Sequence, residues 1–277
     1  MSRIHTNDQT VIAATALVYG GALGYGWAGQ NLLLVALLGA ALLGLSFAVA
    51  AASRGEAGSQ WGLPALGMVM VALLIHAAHG RTVAHFAVFA FMACTVVYRR
   101  WVPVVVAAAT IAIHHLTFNY FQAWGWGPIC FTAPSLATVF EHAGYVVAEA
   151  GILILLAQRA AAEHRTAVEL AAIAEGMVQR DGSISFALPS HAAVQPTTRR
   201  LIDALSRTAQ AIAAVRTGAD SIGTASEQIA SGNQDLSGRT EQTASNLQQA
   251  ASSLEQLTGT VRQTADSART ANQLAAS

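Results

Sequence analysis

The chain has 277 residues, 53% of them hydrophobic and only 11% charged, and its 15 basic residues balance 15 acidic ones. Zero net charge excludes a bulk electrostatic partner such as nucleic acid. The two cysteines, Cys94 and Cys130, build no disulfide framework, and the averages conceal an apolar first half and a second half rich in Ser, Thr, Gln and Ala.

About 20 apolar residues cross a bilayer, and six such stretches precede residue 160. They cover roughly residues 10–28, 31–52, 61–79, 83–98, 101–121 and 136–157. The first runs into the second without an A-x-A-like processing site, so no cleavable signal is expected. Arg3, Arg54, Arg99, Arg100, Arg159 and Arg165 fall on one side of a six-span arrangement and Arg81 alone on the other. The positive-inside bias then predicts a multi-pass protein of a bacterial inner membrane with both ends of the domain in the cytoplasm. Trp61 and Trp101 lie at the inner interface of this arrangement, and Trp27, Trp124 and Trp126 at the outer one.

Six of the nine histidines, His76, His79, His85, His114, His115 and His142, sit in these stretches or their turns, and the topology brings all six to the outer leaflet. His76 and His79 share a helical face, as do His142, Tyr145 and Glu149. Neutral imidazole is the commonest metal ligand, so the cluster predicts a metal centre of non-haem iron or copper. Bis-histidine haem b, which would use only two of the six, and a metal-free proton network are the alternatives. Glu149, near mid-bilayer, is expected to pair with a cation, a proton or a metal. Tyr145 and Cys130 are possible further ligands or proton sites, and Arg81 in the HGR turn could offset an anionic ligand. HAAH at 76–79 and HH at 114–115 are loosely similar to the histidine boxes of integral-membrane di-iron enzymes, whose H-x-x-x-H and H-x-x-H-H spacings are not reproduced.

After Arg159 the hydropathy collapses, and Leu170, Ile173 and Met177 keep one apolar helical face. Residues 180–196 break it with Gly182 and two prolines, and Ile184, Phe186 and Leu188 alternate as in an extended connector. Helix, Gly-led connector and second helix resemble a HAMP domain, the parallel four-helix relay below membrane sensors. Val194-Gln195-Pro196-Thr197 stands where that domain opens its second helix with an acidic residue. From Leu201 a seven-residue repeat runs through Ile212, Ile222, Leu236, Leu254 and Val261 to Ala271, which predicts a left-handed coiled coil and a homodimer. Such a helix reaches roughly 120 Å at 1.5 Å per residue, and its many small polar core positions predict a loosely packed bundle.

Residues 226–274, from Ser226-Glu227-Gln228 to Asn272-Gln273-Leu274, resemble the first methylation helix of bacterial methyl-accepting chemotaxis proteins. The resemblance implies modifiable sites at Gln242, Gln249 and Gln256, preceded by Glu241, Gln248 and Glu255, and partnership with a receptor methyltransferase and methylesterase. It implies receptor arrays in a full-length protein, and a histidine kinase with its coupling protein where the family's hairpin tip is present; the sequence ends at Ser277, before such a tip. The predicted fold is therefore all-α: a six-helix transmembrane sensor over 1–159, a HAMP-like relay over 160–200 and a coiled-coil methylation helix over 201–277. The predicted function is a chemoreceptor, not an enzyme, sensing a redox species, gas or metal ion. A membrane oxidase or desaturase-like enzyme fused to a helical stalk is the alternative; a transporter-like domain reused as a receptor is disfavoured, since no paired broken helices or inverted repeats are evident.

Overall fold

A computed structural model describes residues 4–179, 181–186 and 195–276; Arg3, Leu188, Val194 and Ser277, named above, lie outside them. Apolar segments without water can satisfy their backbone amides only internally, which for a single segment means an α-helix. The described residues accordingly form α1 (Thr6–Ala28), α2 (Leu32–Ser53), α3 (Ala57–Ala77), α4 (Thr82–Cys94), α5 (Trp101–Ala123), α6 (Leu136–Met177) and α7 (Pro196–Ala276). Five of them, α1, α2, α3, α5 and α6, are long and apolar enough to cross a membrane.

The expected span over 83–98 differs from the other five. It is 13 residues of α-helix, α4, continued by a four-residue 3-10 turn over Thr95–Tyr98. The 3-10 turn rises about 2.0 Å per residue against 1.5 Å, so the whole segment extends roughly 28 Å, close to the thickness of a hydrocarbon core.

Packing divides the chain into two units, Met1–Glu175 and Gly176–Ser277. In the first, helices run alternately up and down. At one end the start of α1 meets the start of α3 and the end of the 3-10 turn: the buried Asp8 carboxylate accepts from Ser59 Oγ and from Tyr98 Oη, each at 2.8 Å. At the other end the His79 ring lies against Gly29, past the last turns of α3 and α1.

The centre of this unit is α3. Buried residues make up 61% of its apolar window, against 17% for α2, although α2 is the more apolar helix. Lipid is as apolar as leucine, so apolar content does not drive a helix inward; packing does. Helix α3 therefore meets α1, α2, α4 and α5, with Leu63, Met68, Met70, Val71 and Ile75 fully enclosed. The large side chains of α2, such as Leu33, Leu37 and Phe47, point outward.

Where α3 crosses α4, the Phe91 ring lies on Gly67, and a Cβ there would overlap the ring. The helices end abruptly: Gln30, Arg54, His79 and Arg99 all take left-handed φ between 48 and 61°, the conformation that closes a helix C-terminus.

In the second unit, the segment expected to be extended instead begins by folding back. Val178 and Ile184 form an antiparallel bridge, Ser183 accepts from the Gln179 N–H and Ser185 donates to Met177 O. Gly182 supplies the φ of +81° that this reversal requires. Pro196 opens α7 as its first residue, where a missing N–H costs no helical hydrogen bond. Its 81 residues form one unbroken helix, and the repeat positions Ile222, Leu236 and Leu254 are exposed.

Gly67→Ala should displace Phe91 and destabilise the first unit by about 1–3 kcal/mol, the usual cost of overpacking. Thermal unfolding in detergent, followed by circular dichroism, measures it; an unchanged midpoint would show that the α3 and α4 crossing is not tightly packed.

Candidate metal centre

Three histidines from three helices meet at the end of the first unit where α3 and α5 finish. His85 lies in the first turn of α4, His115 three-fifths along α5 and His142 in the second turn of α6. The ring centroids stand 5.4 Å apart for His85 and His115, 5.1 Å for His85 and His142, and 5.6 Å for His115 and His142. Phe131 closes the group, 5.3 to 5.5 Å from all three rings. His85 and His115 are buried and His142 is half-buried.

All three rings are oriented by the same device. Each Nδ1 contacts the carbonyl oxygen four residues back: Arg81 for His85 at 3.1 Å, Ile111 for His115 at 2.9 Å and Thr138 for His142 at 2.9 Å. A carbonyl only accepts, so each Nδ1 carries the proton and each neutral ring leaves Nε2 as its free lone pair. This is how metal-binding imidazoles are usually held. The His85 Nε2 is buried without a hydrogen-bond partner.

The fourth group comes from the α5 to α6 loop. Cys130 is fully buried and unpaired in any disulfide, and its sulfur lies with one nitrogen each of His85 and His115 within 4.8 Å of one another. Irregular backbone in so apolar a setting needs partners, and a single side chain supplies most of them. Gln122 Oε1 accepts from the N–H groups of Cys130 at 3.0 Å and Phe131 at 3.2 Å, while its Nε2 donates to Phe131 O at 2.6 Å. Asn119 Oδ1 accepts from Ser135 N at 2.7 Å. Gly80, at φ +69°, lets the Phe131 backbone pass so close that a Cβ would collide with it.

The remaining expected residues stand outside this trio, with His114 directly beside it. His76 Nδ1 accepts from the Ile129 N–H at 3.1 Å, so its proton sits on Nε2 and the ring anchors the loop. His79 lies beyond the end of α3 in a left-handed conformation and is exposed, which breaks the face it was expected to share with His76. His114 is buried between Phe118 at 4.1 Å and the His115 ring at 5.4 Å, with its Nε2 unpartnered. Tyr145 is exposed. Glu149 is half-buried with Oε2 enclosed and without a hydrogen-bond partner among the described residues. Arg81 contributes its carbonyl to His85 while its side chain is exposed. Gln242, Gln249 and Gln256 are exposed on α7.

Sequence reasoning passed over Gln122, Asn119, Gly80 and Phe131. A carboxamide in the last turns of an apolar helix is costly unless it satisfies backbone, and Asn119 and Gln122, three residues apart, carried that signal. Comparison with protein-family models, with curated proteins and with solved structures finds no match for this chain.

Burial pushes the Cys130 thiol up to about 12. Without a bound ion it is therefore neutral at ordinary pH, and maleimide labelling should be slow at pH 7 and quicken by about tenfold per pH unit. Gln122→Leu leaves three loop groups unpaired and should raise the labelling rate at pH 7; equal rates in the two proteins, read by mass spectrometry, would show that Gln122 does not hold the loop.

Proposed function

We propose that this chain is the sensing and upper signalling part of a bacterial chemoreceptor. In this reading α1 to α6, with α4 and its 3-10 turn as the shortest crossing, form a six-span domain whose ends are cytoplasmic. A stimulus acting at the histidine group, a redox species, gas or metal ion, shifts α6. The shift passes through a HAMP-like connector into a dimeric coiled coil of α7, where methylation and demethylation at Gln242, Gln249 and Gln256 reset the response.

One observation carries the proposal: His142 and Met177 belong to the same unbroken 42-residue helix. His142 and the part of α6 that continues past the apolar residues belong to one continuous helix, so in this reading a change in ligation at His142 pushes or rotates α6. Displacements of about 1–2 Å are the scale on which helix signalling works. Exposure of the three glutamines fits enzymatic access, and their place outside the a and d positions lets charge change without unpacking the seam.

A second reading rests on a separate feature. An apolar cavity of about 480 Å³ is lined by Leu38, Leu73, His76, Phe118 and Trp126, among others. A membrane metalloenzyme would need such a cleft for a lipophilic substrate, and the exposed, uninterrupted α7 is what that reading leaves without a purpose.

Reporters fused after Arg81 or Trp126 should read as external and those after Arg54 or Arg100 as cytoplasmic; a cytoplasmic signal at Trp126 would overturn the topology. Joining this chain to a complete receptor hairpin should give a chimera whose stimulus response disappears with His142→Ala while Gln242, Gln249 and Gln256 remain modifiable. A normal response without His142 would remove the histidine group from sensing, and turnover of a lipophilic substrate would favour the enzyme.

A further inference from the structure

The donor set is more selective than a cluster of histidines. One ring nitrogen each of His85 and His115 and the Cys130 sulfur, all within 4.8 Å of one another, form its innermost part, and with each Nδ1 already on a carbonyl the nitrogen left for an ion is Nε2. A third imidazole, His142, joins from the α6 side with its Nδ1 already committed to Thr138. The rings of His85 and His115 are inclined at 69°, and those of His85 and His142 at 67°, so neither pair stacks face to face. Phe131 covers the group, and among the described residues no carboxylate stands with these donors.

Each property narrows the ion. Hard cations such as magnesium and calcium need oxygen donors, which the group lacks. Haem would need two imidazoles on opposite sides of a macrocycle, whereas these rings pack against one another with centroids 5.1 to 5.6 Å apart. A dinuclear iron site needs bridging oxygen or carboxylate ligands, and none stands with these donors among the described residues. A soft thiolate with two imidazoles in a trigonal set, plus a weaker fourth donor, matches copper.

We propose that His85 Nε2, His115 Nε2 and Cys130 Sγ bind one copper ion, with His142 Nε2 as the fourth donor that links occupancy to α6. The assignment rests on the reading of this group as the stimulus site and gives that site its ligand class. Binding as Cu(I) exchanges the thiol proton for the metal and needs no electron transfer; the proton leaves to solvent.

The test uses the 277-residue chain in detergent under anaerobic conditions, titrated with Cu(I) against a chromophoric Cu(I) chelator. One ion per chain is expected. Cys130→Ser and His85→Gln should each lose more affinity than the roughly 10–100-fold that follows removal of an outer partner of a ligand. His79→Gln, outside the set, should bind as the parent does. X-ray absorption at the copper edge of the unsubstituted protein should show one sulfur and two or three nitrogen donors, a readout that survives any variant failing to fold. Two ions per chain, an all-nitrogen shell, full binding by Cys130→Ser, or exclusive binding of zinc or iron would each overturn the proposal. Failure of the chemoreceptor reading looks different: copper binds with the expected shell, but the chimera gives no copper response. Conversely, a chimera that depends on His142 in a protein that binds no copper leaves sensing intact and discards the ion.

Discussion

The carboxamide of Gln122 is the interaction on which the candidate site depends. Three backbone groups of the α5 to α6 loop, in Cys130 and Phe131, would otherwise face an apolar interior without partners, each at a cost of about 1–3 kcal/mol. By accepting twice and donating once, Gln122 does for this loop what a neighbouring strand does in a sheet. Cys130 is held against His85 and His115, and Phe131 against all three rings, because the amide leaves the loop no cheaper place to lie. Gly80 acts on the other face of the same backbone, and a side chain there would drive the loop away. The site is thus a loop clamped between the turn that precedes α4 and the last turns of α5.

The opposite end of the unit is closed by different chemistry. Asp8, Ser59 and Tyr98 join α1, α3 and the 3-10 turn through one buried carboxylate. Helix α6 contributes no side chain to that junction, and its buried residues Val146, Ala150 and Leu153 offer the rest of the unit only apolar contact. Apolar contact is non-directional, and hydrogen-bonded junctions are not. Beyond its start, where Asn119 Oδ1 accepts from the Ser135 N–H, α6 is therefore held more softly than the helices joined at Asp8, as the proposed movement of α6 requires.

Much of the fold was legible in the sequence, because apolar length and heptad spacing are local properties. The helical character, five long apolar helices and the long C-terminal helix follow from them directly. The segment over 83–98 was harder, since composition does not distinguish a full α-helical crossing from one lengthened by a 3-10 turn. Helical periodicity also misplaced His79: the i, i+3 relation holds only while the helix continues, and α3 ends at Ala77. His85, His115 and His142 could be brought to one end by topology, but not to one point, since that depends on rotations of α4, α5 and α6 that no local pattern encodes. Asp8 was lost among the residues preceding the first apolar stretch, and its partners are 51 and 90 residues away.

Helix α2 is the most apolar of the long helices and the least enclosed, and that has a consequence for how this sequence can vary over time. Most of its side chains answer to their surroundings only through being apolar, so exchange among Leu, Ile, Val and Phe there removes few specific contacts. Helix α3 has no such latitude: it carries Gly67 beneath Phe91, Ser59 on Asp8 and His76 on the loop. Drift should accumulate in α2 and stall in α3, so two chains sharing this architecture would resemble each other least in their most hydrophobic helix.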